Sequence, residues 1–160
     1  MPKPNTTRPV LLAKFGGVTI NENDVQNKKV INTNGTTRYI INFNDGTTVE
    51  YPEQNERNNS TIFWEHVDKS TRSEQPVYTN MAYAKITGSK NMDLFNLYGC
   101  NSCFIDVSND THGDLVILRD SANRNTQNNK VKMDKYDDAY LKQTYDTARG
   151  NGTMDESAYY

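Results

Sequence analysis

Thr36-Thr37-Arg38-Tyr39-Ile40-Ile41-Asn42-Phe43-Asn44-Asp45-Gly46-Thr47-Thr48-Val49-Glu50-Tyr51 is the segment that decides the fold class. Two β-prone runs flank Asn44-Asp45-Gly46, which is turn chemistry. A two-residue Asp45-Gly46 loop sets Phe43 opposite Thr48 and Ile41 opposite Glu50, which puts a carboxylate on the apolar face. A three-residue loop, with Gly46 in the left-handed bulge position, sets Phe43 opposite Thr47, Ile41 opposite Val49 and Tyr39 opposite Tyr51. A one-residue slip turns every side chain to the wrong face, so the second register is expected. Just upstream, Val30-Ile31-Asn32-Thr33 runs into Asn34-Gly35. Both central residues of a type I′ turn need positive φ, which makes Asn-Gly a strong hairpin signal. The segment therefore predicts a three-stranded antiparallel meander from Lys29 to Tyr51. Its apolar face carries Tyr39, Ile41, Phe43 and Val49, and Pro52 ends it.

Toward the N-terminus, residues 1–9 hold Pro2, Pro4 and Pro9 and read as an extended arm, because proline cannot donate to a ladder. A strand is expected over Val10–Phe15, broken at Gly16-Gly17 and resumed at Val18-Thr19-Ile20. Asn21–Asn27 reads as turn. Beyond Pro52, residues 53–60 read as loop and Thr61-Ile62-Phe63-Trp64 as strand, with Trp64 an anchor of the core or of an interface. Val67 to Gln75 reads as loop again.

From Met81 the pattern changes. Apolar pairs recur at Ala84/Ile86, Leu94/Leu97, Ile105/Val107, Leu115/Ile117 (or Val116/Leu118) and Val131/Met133, the first four in steps of about ten residues. Turn-rich text separates them. Ile86-Thr87-Gly88-Ser89-Lys90-Asn91 and Leu97-Tyr98-Gly99-Cys100-Asn101-Ser102 align on their glycines, although no strict repeat can be written at that spacing. Residues 84–133 resemble the rungs of a short Asn-rich parallel β-helix, or β-solenoid. In such folds Asn and Gly recur at the corners and small or thiol side chains stack inside. The resemblance implies a mainly β chain, with an N-terminal antiparallel meander (10–64) followed by a solenoid (81–133) in a single domain of residues 10–133. A β-sandwich is the alternative. At the end, Tyr136, Tyr140, Leu141, Tyr145 and Ala148 have helical spacing between Asp134 and Gly150, which predicts one helix near 135–149 in the final segment, 134–160.

Composition narrows the function classes. Only 34% of the 160 residues are hydrophobic, yet the formal charge is just -2 and aromatics make up 10%. The polarity comes from turn formers, which favours a folded β-protein over a disordered chain. A near-neutral balance is not that of a dedicated nucleic-acid binder. No apolar run is long enough to span a membrane, and Val10-Leu11-Leu12-Ala13 is too short for the core of a signal peptide. Two cysteines are too few for a disulfide framework, and the Asn-x-Ser/Thr matches follow from composition.

Several groups bear on chemistry. Cys100-x-x-Cys103 sits between β-prone runs and not at a helix start, and His66 and His112 lack zinc-ligand spacing. Inward-facing thiols are the expectation. Asn109-Asp110-Thr111-His112-Gly113-Asp114 gathers oxygen donors in a Gly-containing turn, suited to Ca2+. It resembles the haemolysin-type Ca2+ repeat, with one Gly where that repeat has several and no second copy. Asp110 and Asp114 are the ligands this implies. Asp106, Asp114 and Asp120 resemble the acidic clusters of β-helix enzymes that act on polysaccharide, which need two carboxylates at a set separation.

Three functions follow as expectations. The first is a non-enzymatic structural or interaction protein, a virion or bacterial surface component that self-associates. Residues 1–14 are basic, whereas residues 134–160 carry more acidic than basic groups, so opposite ends can meet between subunits. Tyr145, Tyr159 and Tyr160 are the interface anchors on this view. This reading needs no cofactor. The second is a secreted module that binds glycan or Ca2+. The third is a small β-helix enzyme.

Overall fold

The computed structural model describes residues 9–68 and 73–142. Their strands are β1 (Leu12–Phe15), β2 (Val18–Asn21), β3 (Val25–Thr33), β4 (Thr36–Phe43), β5 (Thr48–Pro52), β6 (Thr61–Asp68), β7 (Ser73–Thr79), β8 (Lys85–Thr87), β9 (Leu94–Tyr98), β10 (Phe104–Asp106), β11 (Leu115–Arg119), β12 (Lys130–Lys132) and β13 (Asp138–Lys142). They form two sheets, in the orders β1-β2-β6-β7-β9-β11-β13 and β12-β10-β8-β5-β4-β3.

The meander has the expected register. Tyr39 pairs with Tyr51 and Ile41 with Val49. The Phe43 N–H donates to the Thr47 carbonyl at 2.9 Å, and Gly46 has φ +97°, as the bulged three-residue loop requires. Asn34 and Gly35 both take positive φ, as a type I′ turn demands. The edge strand β3 begins earlier than expected, at Val25.

Two local expectations are corrected. Val18-Thr19-Ile20 does not resume the strand before Gly16-Gly17. It folds back as β2, antiparallel to β1, because the glycines at φ +58° and +82° reverse the chain. Part of the loop expected between Val67 and Gln75 is strand, since β6 and β7 form an antiparallel pair that reaches from Thr61↔Thr79 to Asp68↔Ser73.

From β8 onward the chain alternates between the sheets. It forms a β-solenoid of about three turns, with β8-β10-β12 stacked parallel on one sheet and β9-β11-β13 on the other. One apolar ladder runs Ile41, Val49, Ile86, Ile105, Val131. The opposing one runs Ile20, Ile62, Tyr78, Leu97, Leu118, Leu141. Both belong to one core, and each fully buried aliphatic in it is worth about 1.5–3 kcal/mol. The antiparallel meander and the parallel solenoid therefore share the same two sheets. Trp64 packs on Phe43 across the core, with ring centroids 4.8 Å apart.

The helix expected near 135–149 is, over Asp138–Lys142, the strand β13. Ala139 and Leu141 extend the rows of Val116 and Leu118, so alternation onto an existing ladder overrides the i, i+4 spacing of Tyr136 and Tyr140. Residues 135–137 are turn leading into that strand, and 143–149 of the expected helix lie outside the described residues. So do Tyr145, Tyr159, Tyr160 and residues 1–8 of the expected arm.

Candidate metal centre

The corner that leads into β9, β11 and β13 is built from stacked aspartates. Asp93, Asp114 and Asp137 each stand one residue before a strand, and parallel pairing places them above one another. The Asp93 N–H donates to Asp114 Oδ1 at 2.7 Å, 21 residues on. The Asp114 N–H donates to Asp137 Oδ1 at 2.9 Å, 23 residues on. Asp137 Oδ2 accepts from the Asp134 N–H at 3.0 Å. The carboxylates of Asp114 and Asp137 thus serve the backbone of the turn before, and the last of the three, Asp137, is satisfied on both oxygens.

The first two are not. Asp93 Oδ1 accepts from the Ser89 hydroxyl at 2.8 Å, while Asp93 Oδ2 and Asp114 Oδ2 are buried without a hydrogen-bond partner. Asp110, on the turn between β10 and β11, adds a third such oxygen. Its Oδ1 accepts from the His112 N–H at 2.8 Å, its Oδ2 has no partner, and its side chain is 8% exposed. Asp93 and Asp114 are 6% and 2% exposed. Ligand oxygens from the three residues lie within 4.8 Å of one another. Two oxygens that share one Ca2+ at about 2.4 Å are at most about 4.8 Å apart, so the spacing suits that ion.

Burial pushes the Asp114 carboxyl up to about 7. The Asp93 N–H opposes this, while the neighbouring Asp137 carboxylate and the charges of Asp93 and Asp110 add to it. Burial pushes Asp93 up to about 6, with Asp45 and Asp110 adding and Ser89 opposing. An unpartnered buried carboxylate is costly, and a divalent cation would relieve that cost while leaving the groups ionised. Space for the Asp93 oxygen comes from Gly88, where a Cβ would sit 2.8 Å from Oδ2. Asn109 holds the Gly88 carbonyl through Nδ2 at 2.6 Å, and its own Oδ1 is buried without a partner.

The structure thus brings Asp110 and Asp114 together and adds Asp93, which sequence reasoning missed. The other carboxylates are not brought to one place. Asp114 and Asp120 flank β11 at opposite ends, about 20 Å apart along an extended strand. Asp106 caps its own turn, accepting from the Ser108 N–H at 3.0 Å. Asp120 accepts from the Thr126 N–H at 2.8 Å. Cys100 and Cys103 are free and buried and hydrogen-bond to the turn before them, to the Tyr78 carbonyl at 3.8 Å and the Met81 carbonyl at 3.5 Å. No family model, curated protein or solved structure matches the chain.

Proposed function

We propose that the protein is a non-enzymatic β-solenoid module that binds one divalent cation, Ca2+, at Asp93, Asp110 and Asp114. The observation that carries the reading is that Asp93, Asp110 and Asp114 bring ligand oxygens within 4.8 Å of one another and that each has one buried oxygen with no hydrogen-bond partner. An all-oxygen anionic donor set selects a hard cation. The ion would join two successive corners of the solenoid, so its role is structural. Millimolar Ca2+ outside cells suits a surface or secreted setting. Calorimetry with Ca2+ and with Mg2+, together with a melt with and without EDTA, tests it. Saturation at a hundred times Kd adds about 2.7 kcal/mol of stability. No heat of binding, together with a melt indifferent to EDTA, refutes the reading.

Self-association is a second reading, favoured by β3. This edge strand is exposed at every residue after Val25, and Val30 and Ile31 are 57% and 42% exposed. An open sheet edge with an exposed apolar pair is a template for strand addition by another chain. Light scattering of the native chain and of Ile31→Lys tests it. A strict monomer at high concentration removes the reading.

A further inference from the structure

We propose that the ion at this corner also engages Asp45 through one bound water, and so clasps the β4–β5 hairpin to the solenoid. This rests on the cation reading above and adds a partner to that site from the antiparallel half of the chain.

The register brings the two parts together. β5 pairs antiparallel with β8, Thr48 opposite Thr87, so the hairpin tip before Thr48 lies beside Gly88-Ser89 after Thr87. The approach is close: a Cβ at Gly46 would be 3.3 Å from Ser89 Cβ. Ser89 in turn gives its hydroxyl to Asp93 Oδ1 at 2.8 Å. The hairpin tip at Gly46 is therefore one residue contact away from a ligand, and the charge of the adjacent Asp45 acts on both Asp93 and Tyr78.

Asp45 is also held ready. Its Oδ1 accepts from the Thr47 N–H at 2.9 Å and its Oδ2 from the Thr47 hydroxyl at 3.1 Å. Each oxygen keeps a free lone pair, so recruiting it costs little side-chain entropy. The local balance is strongly negative. Three carboxylates, those of Asp93, Asp110 and Asp114, gather at this corner, and the Asp45 charge acts on Asp93 from the hairpin. Lys90, which reaches the same corner, donates to the Asn109 carbonyl at 3.0 Å. Without a cation, the charges of Asp45 and of the corner repel and weaken the contact of the hairpin tip with Ser89. With one, the same charges draw the tip in.

The test uses the full chain in 0.15 M salt, which screens charges more than about 8 Å away. Asp45→Asn keeps an oxygen for the Thr47 N–H, so the hairpin still forms. Calorimetry is expected to show Ca2+ binding about tenfold weaker in this variant, since ligand charge sets affinity. Hydrogen exchange is expected to slow at residues 43–48 when Ca2+ is added to the native chain. Unchanged Ca2+ affinity in Asp45→Asn overturns the clasp. So does protection confined to residues 88–94 and 109–114, with the hairpin indifferent to Ca2+. Native chain that takes up no Ca2+ removes the site itself, and the clasp with it, and that result is distinct from the other two.

Discussion

Replacing Asp114 by Asn is expected to stabilise the cation-free protein, although Asp114 is buried and hydrogen-bonded. The Asn oxygen can still accept from the Asp93 N–H that now meets Asp114 Oδ1 at 2.7 Å, and its amide N–H can face Asp137. What disappears is a charge. The folded carboxyl titrates at about 7, against about 3.9 in an unfolded chain. Because the folded value is the higher one, the native state binds the extra proton between pH 4 and 7. Its contribution to stability is complete below about pH 4 and is lost as pH rises through about 7. At pH 8 the ionised group costs at most about 4 kcal/mol, from 1.36 kcal/mol per unit. Screening by water at the edge of the corner brings the expected gain for Asp114→Asn to about 2 kcal/mol. For a chain of this size that is a rise in Tm of about 4–8 °C. Urea denaturation in EDTA at pH 8 and at pH 4 measures it: the variant leads at pH 8, the two coincide at pH 4, and saturating Ca2+ reverses the order. A variant less stable than the native chain at pH 8 in EDTA refutes the reasoning. The Asp114 charge would then have a partner that offsets its burial.

Three further outcomes are expected. Gly88→Ala puts a Cβ 2.8 Å from Asp93 Oδ2 and forces that carboxylate aside, so Ca2+ affinity measured by calorimetry falls roughly tenfold while the melt in EDTA changes little. Ile105→Ala removes the centre of the Ile86–Ile105–Val131 row, fully buried, and costs about 3 kcal/mol in urea unfolding. Gln54→Ala strips a buried amide that accepts from the Ala82 N–H and donates to the Ala82 and Pro52 carbonyls at 3.0, 3.1 and 2.8 Å. It costs about 2 kcal/mol, read from the same denaturation curves.

The meander was legible because its information is local. Gly46 allows the bulge, and a single slip would carry Ile41, Phe43 and Val49 off the core face, so chemistry within a few residues settles the register. The hairpin β1–β2 was harder, since Gly16-Gly17 serves a strand break and a reversal equally well. The strand β13 was not legible from its own text. Tyr136, Tyr140 and Leu141 satisfy a helical spacing, and only the edge of β11, far away in sequence, offers Ala139 and Leu141 a row to join.

The site shows the same division between local and stacked information. Steps of about ten residues compare successive half-turns, which lie on opposite sheets: Ile86 belongs to β8 and Leu97 to β9. Aligned that way, Gly88 meets Gly99 and no strict repeat emerges. Aligned by the parallel register instead, Asp93-Leu94-Phe95-Asn96-Leu97 stands on Asp114-Leu115-Val116-Ile117-Leu118, and that on Asp137-Asp138-Ala139-Tyr140-Leu141. The shared pattern is Asp, then an inward apolar residue two places on and an inward Leu two places after that. The Asp recurs because its carboxylate caps the N–H of the Asp in the turn before. A capping ladder alone would be served as well by Asn, which carries no charge to bury. Charge at Asp93 and Asp114, joined by Asp110 from the neighbouring turn, is therefore the feature that capping leaves unexplained and that the proposed cation would account for.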